Sequence, residues 1–195
     1  FFLLNFIIFN FRFHKTAKNY KKIWLKKDNI SPLKFYTKLQ RDKLRKILNK
    51  ENILIDYAMR YGSPSIKNKI SSLKGKGCEN IVVLPLYPQY ASPTTASVCD
   101  EVFRVLLEMR WQPSIQIVPH YESNPFYIDA LVNSIKEKIE KITYSPDLII
   151  TSYHGIPEKY FLKGDPYHCY CYKTTRLIEE KSNFKIPFLV TFQSR

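Results

Sequence analysis

The sequence predicts an α/β fold of parallel sheets flanked by helices. Two patterns carry that prediction. From Ile53 onward, short apolar runs alternate with longer amphipathic stretches. Four of those stretches open with a capping residue followed by proline, at Ser63-Pro64, Ser92-Pro93, Asn124-Pro125 and Asp165-Pro166. A Ser, Asn or Asp side chain accepts the free N–H groups of a first helical turn, and proline fits that turn because it has no N–H to satisfy. Short strands linked through helices pair in parallel, and strands of such a sheet read as near-continuous apolar runs.

The elements follow in order. One helix is predicted over about Thr16 to Lys26, and a second from Ser31-Pro32 to about Leu48. Ile53 to Met59 reads as the first strand. The helix opened by Ser63-Pro64 carries Ile66, Ile70 and Leu73 on one face and ends at Gly75 and Gly77, as helices commonly do. Ile81 to Leu86 is the next strand. The helix after Ser92 lines up Val98, Val102, Val105, Leu106 and Met109. Ser114 to Val118 is a strand, and the helix from Asn124 carries Leu131, Ile135 and Ile139. Asp147 to Tyr153 is a strand, a helix follows Asp165, and Ile186 to Phe192 closes the series. A domain boundary is placed at residues 122/123, giving domains 1–122 and 123–195.

Composition narrows the function classes. Of the 195 residues, 45% are apolar and 15% aromatic, which allows a packed core and excludes a disordered chain. The net charge of +14 is concentrated between Arg12 and Lys50, where fourteen Lys or Arg face only Asp28 and Asp42. Such a segment can attract a membrane surface, a nucleic acid or an acidic metabolite. Solvated lysines on helix faces need no partner, so no nucleic acid is expected, and peripheral membrane contact is kept as an option. Cys78, Cys99, Cys169 and Cys171 are too sparse for a disulfide framework and point to free thiols in a reducing, cytoplasmic setting. The opening run from Phe1 to Phe11 is too short to span a bilayer. It lacks the charged lead and cleavage site of a signal peptide. It reads as a buried helix, with a membrane-surface anchor as the alternative.

Ligands of parallel sheets gather at the C-terminal ends of the strands. Just past the predicted strands stand Arg60-Tyr61, Tyr87-Pro88-Gln89-Tyr90, His120-Tyr121, His154-Gly155 and Gln193-Ser194-Arg195. Aromatic rings to pack on and Arg to hold carboxylates suit a flat, hydrophobic ligand with anionic groups. His154 directly follows a strand, and Gly155 allows a sharp turn and close ligand approach. An imidazole there could bind a metal or accept a proton near neutral pH; a hydrogen-bonded structural histidine would occupy the same place. His168, Cys169 and Cys171 form a His-Cys-x-Cys cluster whose spacing is poor for a structural zinc site, so helix packing is the default. Asp165 reads as a helix N-cap and Glu158 as solvent-exposed.

These residues resemble the ferrochelatase family. Ser152-Tyr153-His154-Gly155-Ile156-Pro157, followed by Lys163-Gly164-Asp165-Pro166-Tyr167, resembles its signature. Tyr87 to Thr95, Met59-Arg60-Tyr61-Gly62 and Thr191 to Arg195 look like three further blocks, in family order. The stretch from Lys15 to Trp24 fits more loosely. The resemblance implies a chelatase-like fold of two Rossmann-like domains, both incomplete here. It implies insertion of ferrous iron into a porphyrin, protoporphyrin or coproporphyrin, in haem synthesis. It makes His154 the catalytic, metal-site and proton-accepting histidine, and puts Arg60 and Tyr61 near the porphyrin. Tyr87 and Tyr90 are ring-packing neighbours by position. Iron and porphyrin are substrates; no resident cofactor and no iron–sulfur cluster is expected.

The sequence also departs from the family pattern. It has no counterpart of the first strand and Gly-rich turn, nor of the C-terminal portion that carries the acidic partner of the histidine. The family's cysteine position in the Tyr87 to Thr95 block is not a cysteine. Two other readings stay open: an inactive remnant of a truncated ferrochelatase gene, and a basic module binding nucleic acid or membrane through the Arg12 to Lys50 segment. A chelatase for another tetrapyrrole is a further possibility. A parallel sheet lacking its first strand exposes apolar surface, so the isolated chain is expected to be poorly stable.

Overall fold

A computed structural model describes residues 13–25, 29–49 and 52–193. The expected opening helix over the first eleven residues, and Ser194-Arg195, lie outside them. The chain divides into two compact units between Lys76 and Gly77.

The first unit is helical. α1 (Phe13–Ile23) and α2 (Pro32–Ile47) match the two expected helices, with α1 displaced toward the N-terminus. Ser31 Oγ accepts the Lys34 N–H at 3.3 Å, and Pro32 takes the first helical position, as the Ser-Pro pair predicts. None of the α2 side chains is buried.

Two expectations fail in the next stretch. Residues 53–58 form no strand; Met59 bridges to Ser65, donating its N–H to the Pro64 carbonyl at 2.7 Å. A strand exists only with a hydrogen-bonded neighbour, and among the described residues this segment has none. α3 (Ile66–Gly75) is capped by Ser65, whose Oγ accepts the Asn68 N–H at 3.2 Å, not by Ser63. Ile66 and Ile70 are its buried residues. The segment before Met59 is pinned through Asp56. Its carboxylate accepts Lys69 Nζ at 2.6 Å and lies 3.7 and 3.9 Å from the Arg41 and Arg45 guanidinium groups. Burial alone would raise the Asp56 pKa, but the hydrogen bonds from Lys69 and the Tyr57 N–H outweigh it and hold the carboxyl below its ordinary range.

The second unit carries the predicted parallel pairing. β1 (Asn80–Val83) pairs with β2 (Ser114–Ile117), and β3 (Ile149–His154) pairs with β4 (Phe188–Gln193), both in parallel. They form two separate two-stranded sheets. β1 is shorter than expected because Pro85, which has no N–H to give a ladder, stands two residues past it. Four helices join the strands: α4 (Ser97–Leu107), α5 (Pro125–Ile139), the short α6 (Glu158–Leu162) and α7 (Tyr167–Ser182). A π-helical turn, Ser92–Ala96, leads into α4. Asn124 caps α5, accepting the Phe126 and Tyr127 N–H groups at 3.0 and 3.3 Å. The core is built from Val98, Val102 and Val105 of α4, Ile128 of α5, and Cys171 and Ile178 of α7. α5 and β4 both pack on α7. The opposite sheet faces are exposed, with Val82 at 64%, Ile150 at 58% and Leu189 at 47%.

Candidate active site

The loops after β1, β2 and β3 are each tied to α7 or to the turn before it. After β1, Gln89 Nε2 donates to Thr174 Oγ1 of α7 at 2.9 Å. The flanking Tyr87 is exposed, while Tyr90 is half-buried and its hydroxyl pKa is raised by that burial.

After β2, the loop turns inward at Glu122, whose side chain is fully buried. Lys173 Nζ of α7 donates to Glu122 Oε1 at 2.8 Å, and His120 Nδ1 lies 2.6 Å from Oε2. Burial pushes the Glu122 pKa up, but these two hydrogen bonds outweigh it and leave the carboxyl below its ordinary range. The His120 ring stacks on Tyr170 at 4.8 Å. Beside it, Tyr121 donates its N–H to the Pro88 carbonyl at 2.9 Å. Burial pushes the Tyr121 hydroxyl up to about 12.

After β3, the alternation of the strand sets the site. Successive side chains point to opposite faces. Thr151 and Tyr153 turn toward α7, where their hydroxyls meet Thr175 Oγ1 at 3.0 and 2.9 Å. Ser152 and His154 turn outward and are exposed. His154 is the last residue of β3, opposite Gln193, and the Gly155 N–H closes the pair by donating to the Gln193 carbonyl at 2.6 Å. The backbone under the imidazole is thus fixed, while among the described residues no group hydrogen-bonds its ring.

The neighbouring acids have other work. Asp165 is buried and accepts two backbone N–H groups, from Ser92 at 2.7 Å and from Tyr167 at 3.0 Å. Its capping role holds, and it also caps the turn that Ser92 was expected to cap. Glu158 starts α6 and is exposed, as expected. The His-Cys-x-Cys cluster disperses. Cys171 is fully buried, and that burial pushes its thiol up to about 12, away from the thiolate that metals bind. Cys169 is exposed. His168 lies among rings, stacked 5.2 Å from Phe192 and 4.8 Å from Tyr172. Among the described residues no three His, Cys, Asp or Glu side chains gather as a metal site.

Arg60 and Tyr61 belong to the first unit. The Arg60 guanidinium lies 4.5 Å over the Tyr61 ring, a cation–π contact. They stand in a turn completed by Gly62 at φ +96°, a conformation that glycine adopts readily.

The ferrochelatase family profile matches residues 1–195. The chain belongs to the ferrochelatase family. It is 50% identical over 191 residues to the ferrochelatase of Allorhizobium ampelinum, covering 97% of this chain and 56% of that relative. It is 48% identical over 196 residues to the ferrochelatase of Francisella tularensis subsp. tularensis, covering 99% and 58% respectively. The chain therefore spans little more than half the length of these ferrochelatases. Sequence reasoning singled out His154 and the aromatic loops but passed over Glu122. The signal was there: an acid two residues after His120 matches the reach of a carboxylate to Nδ1. No helix among the described residues is long and apolar enough to cross a membrane.

Proposed function

We propose that this chain is part of a ferrochelatase, which inserts ferrous iron into a porphyrin in haem synthesis. One observation supports this most: His154 is an outward-facing imidazole on a fixed strand end, in a chain of the ferrochelatase family. Insertion removes two pyrrole protons as iron enters the ring. Histidine can take a proton near neutral pH or ligate a divalent metal. In this reading His154 does one of these, Arg60 answers a porphyrin carboxylate, and Tyr61, Tyr87 and Tyr90 pack against the macrocycle. The division into domains 1–122 and 123–195 belongs to the same proposal.

A second reading, an inactive chelatase-like chain, is favoured by one observation: among the described residues no carboxylate pairs with His154. One experiment separates the two. Porphyrin fluorescence is followed as ferrous iron is added to this chain, and to the chain extended by the C-terminal part of the Allorhizobium relative. Iron-dependent loss of fluorescence, lowered by about 100-fold or more in His154→Ala, supports the enzyme. No loss in the extended protein would rule it out.

Contact with a membrane surface is part of the same proposal. On α2, Leu33, Tyr36, Leu44 and Ile47 are exposed along one side, as helical spacing dictates. Lys34 and Lys43 flank them. An apolar stripe edged with cations suits an interface with anionic headgroups.

A further inference from the structure

Iron insertion releases two protons, and one imidazole takes one. We propose that His120, oriented by the buried Glu122, is a second proton acceptor of the reaction. This rests on the ferrochelatase reading above.

The chemistry of the pair fixes the tautomer. An ionised carboxylate only accepts hydrogen bonds, so His120 Nδ1, 2.6 Å from Glu122 Oε2, must carry the proton. In the neutral ring Nε2 is then left with its lone pair. The His120 side chain is 39% exposed, so the ring can exchange protons with solvent, while the carboxylate behind it is fully buried. Tyr170 stacks on the ring at 4.8 Å and limits its rotation. Lys173 holds the other carboxylate oxygen at 2.8 Å and keeps Glu122 ionised and in place. The charged and titratable groups around the ring are therefore Glu122 and Tyr121 of its own loop, and Lys173 and Tyr170 of α7.

The location fits the task. His120 follows the C-terminal end of β2 as His154 ends β3, the edge of a parallel sheet where ligands gather. Both reach the first turns of α7. His120 stacks on Tyr170, and the His154 backbone meets the Tyr167 hydroxyl. Residues 167 and 170 are neighbours on one helix face. The proton balance is simple. A pyrrole N–H bond breaks, its electron pair goes to iron, and the proton adds to Nε2. The resulting imidazolium keeps its Nδ1–H bond to Glu122 and passes the proton to water.

The test uses the chain extended by the C-terminal part of the Allorhizobium relative, with iron insertion measured against pH. His120→Gln, which keeps an N–H for Glu122, is expected to lower kcat about 10-fold or more with the porphyrin KM unchanged, and to remove one ionisation from the acid limb. Glu122→Gln is expected to lower kcat as well, with the porphyrin KM unchanged, because a neutral amide no longer holds the Nδ1 proton in place or balances the imidazolium. Nitrogen NMR of the unextended chain is expected to show His120 protonated at Nδ1 and unprotonated at Nε2 when neutral. An unchanged kcat and acid limb in His120→Gln, with His154→Ala inactive, would overturn the proposal and leave the ferrochelatase reading standing. The opposite tautomer would overturn it without any activity measurement. Absence of insertion in the extended wild type would remove both.

Discussion

The Asp165 carboxylate accepts the Ser92 backbone N–H at 2.7 Å, joining the start of one helical segment to the turn before another across 73 residues. Its second oxygen accepts the Tyr167 N–H at 3.0 Å. One buried acid therefore caps two helix starts. Removing it leaves two part-buried backbone donors without their acceptor. Asp165→Ala is expected to destabilise the second unit by about 2–3 kcal/mol. Urea unfolding followed by circular dichroism measures this. A loss no greater than that of an exposed control such as Asp147→Ala would show that the caps are dispensable.

Acid should loosen the loop after β2. Glu122 is held below its ordinary pKa by Lys173 and His120 against the opposing effect of burial. A carboxyl depressed in the folded state contributes stability above its unfolded pKa, about 4.3, and loses it as pH falls through the lower folded value. Stability is therefore expected to drop as pH falls below that range. Glu122→Gln should be less stable than wild type at neutral pH and should flatten this part of the profile. Parallel profiles for the two proteins would contradict the assignment.

The strand that presents His154 is braced from its other face. Thr175 Oγ1 meets both the Tyr153 hydroxyl and Thr151 Oγ1. Thr175→Val keeps the shape of the side chain but leaves those hydroxyls without their partner. A cost of about 1–2 kcal/mol is expected, read from chemical denaturation. Faster hydrogen exchange of the amides of residues 151–154 should accompany it. Unchanged exchange would mean that the ladder with β4 alone holds the strand.

Membrane contact makes a salt-dependent prediction. If the exposed side of α2 meets a lipid surface, the chain should sediment with vesicles containing phosphatidylserine and much less with neutral ones. Raising salt should weaken the binding, because screening shortens the reach of exposed charges. Replacing Leu33 and Ile47 with Ser should weaken it as well. Equal binding to both vesicle types would remove the electrostatic part of the reading.

Much of the fold was legible because the signals are local. Asn124-Pro125 and Ser31-Pro32 start helices wherever they stand, since the acceptor and the donors lie within one turn. Ser63-Pro64 misled for a related reason. Ser65 follows two residues later with the same capping chemistry, and the chain uses Ser65, with Pro64 left in the preceding turn. The strand read over Ile53 to Met59 failed because apolar composition describes a residue's preference and not its neighbour.

The strand-end position of His154 was legible as well, since its strand and its glycine are contiguous. Period, capping and composition act over a few residues, and the order of residues is enough to fix them. Folding settled the long-range pairings: Glu122 with Lys173, Gln89 with Thr174, and Asp165 with Ser92. A buried carboxylate is stable only where another part of the chain brings it donors, and which donors arrive depends on how the strands and α7 close on one another. The place of His154 at the end of its strand could therefore be read from the residue order, but the orientation of His120 came only with the folded chain.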